Sequence, residues 1–165
     1  MVRTVNVGRA ANDKVGVPEG QWVSVDPGDI HVGVCFWNGP EPQWAREFRP
    51  DQFVDWLVDQ MQAGEIELVV YEIFMLYGQK AHQQTGSTFG TAELIGVMRH
   101  LCRRAEVPFV GYQASAHKGL YKWEKFKPPH KSLRDWVSYG HGSHTKDAEC
   151  CGFYHLIKNG VIKNG

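Results

Sequence analysis

The chain has 165 residues, 42% hydrophobic and 22% charged, the composition of one globular domain with a full core rather than of a disordered segment. No apolar run approaches the roughly 18 residues of a membrane span, and the opening MVRTVNVGRAANDK lacks the apolar stretch of a secretory signal; the expectation is a cytoplasmic protein with no membrane partner. Eighteen basic and eighteen acidic residues cancel, so net charge names no partner.

The distribution of charge is more informative. Glu41 to Glu72 carries a net −6 and Ile73 to Arg134 a net +7, an asymmetry that keeps nucleic acid open as a partner. Four cysteines without a C-x-x-C pair argue against a zinc site or a disulfide framework and for free, buried thiols.

In chain order, residues 1–20 are aperiodic and read as an N-terminal tail or edge extension, and residues 21–165 as one domain. Trp22 to Val25 is a short strand stopped by Asp26-Pro27-Gly28. Ile30 to Trp37 is a second strand, Asn38-Gly39 a hairpin turn, and Gln43 to Phe48 a third strand. From Pro50, residues Phe53, Trp56, Leu57 and Met61 recur at helical spacing. Leu68 to Tyr71 is a buried strand, Gly78 to Ser87 a polar loop, and Leu94 to Ala105 a helical face. Pro108 to Tyr112 is a further strand, and Asp147 to Lys158 a last helix ended by Asn159-Gly160. Three meandering strands followed by alternating helix and strand predict an α/β fold, with a mixed central sheet and helices on both faces.

Three acidic residues sit at element ends. Asp26 closes the first strand, Glu72 closes the fourth, and Asp147 opens the last helix. Neighbouring strand ends can set two carboxylates side by side, and a helix crossing that end can add a third. Such a cluster repels itself and is stable mainly around divalent cations. Two cations about 4 Å apart suit in-line displacement at a phosphodiester. Each residue also has a plainer role: Asp-Pro-Gly is a good turn, Glu72 an ordinary strand end, and Asp147 favourable in a first helical turn. A second patch, Ala116 to Arg134, interleaves His117, Lys118, Lys122, Lys125, Lys127 and Lys131 with Tyr121, Trp123 and Phe126. Cations meet phosphates and aromatics stack on bases, so this is the expected DNA-binding segment, the plainer reading being a solvated loop.

The segments VSVDPGDIHVGVCFW, LVVYEIFMLYG, TAELIGVMRHLCRRAEVPFVGYQASAHKG and HTKDAECCGFYHL, in this order, resemble RuvC-like Holliday junction resolvases of the RNase H-like superfamily, most of all the compact phage type. The resemblance spans roughly Gln21 to Ile157. It implies an RNase H-like fold and a crossover junction endodeoxyribonuclease that hydrolyses phosphodiesters in branched DNA with two Mg²⁺ ions, Mn²⁺ being a substitute. It also implies that Asp26, Glu72, His144 and Asp147 hold the metals, His144 alternatively orienting water or the phosphate. Lys118 matches the family's lysine-bearing turn. Phe74 follows Glu72 by two residues where bacterial members place a junction-opening aromatic after three, so it is either a wedge or core. A homodimer is expected, because a two-fold junction takes two symmetric nicks, and the family pairs through the helix at Thr91 to Ala105. The alternatives are an RNase H-type ribonuclease on RNA–DNA hybrids and a non-catalytic junction-binding protein.

Overall fold

The computed structural model describes residues 15–73, 87–117 and 143–162. Five strands, β1 (Gln21–Asp26), β2 (Val32–Asn38), β3 (Glu41–Phe48), β4 (Val69–Ile73) and β5 (Phe109–Gln113), form one sheet in the order β3-β2-β1-β4-β5. β1, β2 and β3 pair antiparallel, and β4 pairs parallel with both β1 and β5. The helices are α1 (Pro50–Gln62), α2 (Ser87–Arg104), the four-residue α3 (Ala114–His117) and α4 (Ser143–Lys158). Among these residues no helix is long and apolar enough to cross a membrane.

The period-two pattern divides the sheet into two cores. Val23 and Val25 of β1, Val34 and Phe36 of β2, and Val69 and Tyr71 of β4 face α1 and α2, meeting Phe53, Leu57, Leu94, Met98 and Cys102. On the other face Trp22, Cys35, Trp37, Leu68 and Val70 meet α4 through Ala148, Cys151, Phe153 and Leu156. All four cysteines are buried and free. The hairpin at Asn38-Gly39 forms as expected, with Gly39 at φ 53°, a backbone setting that favours glycine.

Three local contacts fix α4 on the sheet. The Ser24 hydroxyl donates to the Ala148 carbonyl at 2.6 Å and accepts from Trp37 Nε1 at 2.8 Å. Gly152 lies against the Trp37 ring, and Gly33 against the backbone of His144 and Thr145, so closely that a Cβ at either would overlap its neighbour. The first turn of α4 therefore rests on β2 beside Asp26, since Gly33 is the register partner of Asp26.

Some boundaries differ from expectation. α4 begins at Ser143, so His144 lies in its first turn and Asp147 one turn inside it rather than at its start. Glu72 lies within β4, with Ile73 beyond it. α3 was not expected. Within residues 15–20, Val15 and Val17 pack on the α4-side core, and His155 Nε2 lies 3.3 Å from the Gly16 carbonyl. The expected loop Gly78 to Ser87 falls outside the described residues except at Ser87, which opens α2.

Candidate metal centre

Asp26 and Glu72 come together through strand register. β1 and β4 pair parallel as Val23↔Val69, Ser24↔Val70 and Val25↔Tyr71, so one further step sets Asp26 beside Glu72. Alternation puts both on the α4 face, the face of Trp22, Ser24, Leu68 and Val70. α4, held down at Gly33 and Ser24, brings Asp147 to the same point. One carboxylate oxygen from each of Asp26, Glu72 and Asp147 lies within 4.8 Å of the others, an arrangement that could hold a metal ion.

The electrostatics fit a cation. Asp26 is only 6% exposed. Burial first, then the charge of Glu72, push its carboxyl up to about 6; the hydrogen bond from His144 works against this, and Asp147 adds to it. Three carboxylates this close together repel one another unless positive charge is supplied. All-oxygen donors of this kind suit a hard divalent cation such as Mg²⁺ or Mn²⁺. Cys151 lies close enough to feel Glu72, Asp26 and Asp147, and with burial as the main cause its thiol is raised well above its ordinary range, a neutral neighbour rather than a ligand.

His144 joins the cluster through Asp26. Its Nδ1 lies 2.7 Å from Asp26 Oδ2, and because an ionised carboxylate can only accept, Nδ1 carries the proton in that contact. The remaining ring nitrogen, Nε2, is then the one with a lone pair to offer a metal or a substrate. His31, which sequence reasoning left without a role, has its ring centroid 6.2 Å from that of His144.

His117 stands apart from the other expected DNA-contacting residues. It is fully buried, at the end of α3, with Nε2 3.2 Å from Glu72 Oε2, so it faces the carboxylate cluster rather than solvent. Reading it as part of the following basic run hid this. The signal that could have found it was its place just past β5, at the same strand ends as Asp26 and Glu72. Phe74, Lys118, Lys122, Lys125, Lys127 and Lys131 lie outside the described residues.

Two solved structures share this fold. RuvC from T. thermophilus in complex with a Holliday junction substrate superposes with a TM-score of 0.61 at 15% identity, covering 86% of this chain and 96% of that one. A second Thermus thermophilus RuvC structure gives 0.56 at 15% identity, covering 85% and 96%. No family model matches the chain, and neither does any curated protein sequence. The chain thus has a RuvC-like, RNase H-like α/β fold, as the sequence motifs led one to expect. The carboxylate cluster sits at the strand ends of this fold.

Proposed function

We propose that the protein is a Mg²⁺-dependent, structure-specific DNA endonuclease that resolves four-way junctions by paired nicks. The observation that carries this reading is the convergence of Asp26, Glu72 and Asp147 within 4.8 Å at the strand ends of a RuvC-like sheet. Those three residues would hold the divalent ions, Mn²⁺ substituting for Mg²⁺, with His144 as a further ligand or a contact to the scissile phosphate. Held there, such ions would supply activation of water and charge stabilisation for a leaving 3′-oxygen. The work of the chain is positioning. Strand register fixes Asp26 against Glu72, Gly33 and Ser24 fix α4 and with it Asp147, and the bond from Nδ1 of His144 orients the Asp26 carboxylate.

Substrate choice follows from charge and symmetry. Lys118, Lys122, Lys125, Lys127 and Lys131 would track phosphates along the DNA backbone, and Phe74 is a candidate wedge at the branch point. A homodimer would offer two such centres to a two-fold junction. Pairing through α2 is supported by Gly96, beside which nothing lies within 4 Å, and by Val97, 42% exposed. The protein would act in the cytoplasm, that of a bacterial host if a phage encodes it.

The test is cleavage of a four-way junction, a flap, linear duplex and an RNA–DNA hybrid, each with Mg²⁺ and with EDTA. Metal-dependent nicking of the junction in preference to linear duplex is expected. Cleavage of the hybrid alone would assign a ribonuclease instead, and tight junction binding without cleavage would assign a binding protein.

A further inference from the structure

Parallel pairing of β4 with β5 sets Glu72 opposite Tyr112, so the chain leaving β5 emerges at the sheet end that carries the carboxylates. Three small residues follow, Ala114, Ser115 and Ala116, and the single turn of α3 brings the chain round so that His117 closes it. The imidazole is fully buried. Neither ring nitrogen makes an aligned hydrogen bond among the described residues, yet Nε2 lies 3.2 Å from Glu72 Oε2. A buried polar ring is kept against its desolvation cost only where a partner gives it a task, and its charged neighbour here is the carboxylate of the metal centre.

We propose that His117 is a positioning residue for Glu72. Through the close approach of Nε2 to Oε2, at 3.2 Å, it restrains the rotation of the carboxylate about its last bond. Glu72 would thereby be held ready for a cation shared with Asp26 and Asp147. Metal sites in general depend on such partners: ligating carboxylates are themselves held by donors behind them, and loss of the donor weakens metal affinity by roughly 10- to 100-fold. His117 therefore does not contact DNA, unlike the lysines that follow it in sequence; a fully buried ring has no route to a phosphate. The inference rests on the metal-centre reading above, and its test separates the two.

Mn²⁺ binding is measured on the full chain without DNA, by calorimetry and by the Mn²⁺ electron paramagnetic resonance signal. The variants are His117→Leu, His117→Gln, His117→Asn, Glu72→Gln and the double variant His117→Leu with Glu72→Gln. The side-chain amide of glutamine places an N–H near the position of Nε2, and that of asparagine near Nδ1. His117→Leu is expected to weaken binding by about tenfold or more, His117→Gln to keep most of it, and His117→Asn to lose it as leucine does. In the Glu72→Gln background, His117→Leu should add no further loss, since the group it positions is gone. If the leucine variant does not fold, the glutamine–asparagine contrast alone decides. Wild-type affinity in His117→Leu, equal affinities for the glutamine and asparagine variants, or full additivity in the double variant would overturn the role of His117 and leave the metal centre standing. A wild-type chain that binds no Mn²⁺ would overturn both.

Discussion

Asp26 is ionised at the expense of the fold. Its carboxyl is raised to about 6 from an unfolded value of 3.8, so between these pH values the unfolded chain releases a proton that the folded chain keeps. The stabilising contribution is full below about pH 4 and lost as pH rises through about 6. A bound cation reverses this balance, because it requires the ionised form. Glu149 obeys the same sign without the cation. It is 5% exposed and raised to about 7 from 4.5, by burial opposed by Lys146. Glu149→Gln should therefore leave stability nearly unchanged near pH 4. It should raise the thermal stability of the metal-free protein increasingly up to pH 7 and above, by on the order of 2–3 kcal/mol. Melting curves from pH 4 to 8 check this; a gain independent of pH would contradict it. The two cases mark what single residues disclose. Asp26, Glu72 and Asp147 were legible because each adjoins an apolar segment whose direction places it. Glu149 and His117 were not, since nothing in their neighbours marks a polar side chain as buried; the packing of α4 and α3 decides that.

At the scale of elements, α4 carries the site, and its seat on the sheet depends on Gly33. Gly33→Ala would force the added methyl into the His144 carbonyl and the Thr145 amide. Overpacking of this kind destabilises by about 1–3 kcal/mol, and here the displaced turn holds His144, with Asp147 one turn on. Mn²⁺ affinity should therefore fall while far-UV circular dichroism stays native. Unchanged affinity in a destabilised Gly33→Ala protein would show that α4 is not seated through this contact. The order of elements was readable from periodicity, and the hairpins from Asp26-Pro27-Gly28 and Asn38-Gly39. The start of α4 was not readable, because Ser143, His144, Thr145 and Lys146 show no apolar period. That first turn is set by tertiary contact, with Thr145 buried and the His144 backbone resting on Gly33. α3 escaped notice for a related reason, four residues being too few to carry a helical pattern.

Taken together, the described residues form a mixed sheet with α1 and α2 on one face and α4 and the carboxylates on the other. Among the described residues, α2 exposes Val97 on the side of the sheet opposite the carboxylates. If two copies pair through α2 as proposed, Val97→Glu, a charge at an exposed position, should leave monomer stability within about 0.5 kcal/mol yet shift sedimentation from dimer to monomer at micromolar concentration. A dimer of unchanged strength would move the interface elsewhere. The succession of strands and helices along the chain was readable, but the sheet order β3-β2-β1-β4-β5, which sets Asp26 beside Glu72, comes from tertiary pairing. The basic segment contributed only its composition, because charge and aromatic content do not specify a conformation. If this carboxylate cluster cleaves branched DNA with bound metal, loss of one ligand in Asp26→Asn should stop the chemistry and spare the binding. Cleavage of a strand-labelled four-way junction in Mg²⁺ is compared with wild type, alongside junction binding in Ca²⁺. Binding of wild-type strength with cleavage abolished is expected, whereas an Asp26→Asn protein that still nicks the junction would rule out the metal centre as the site of cleavage.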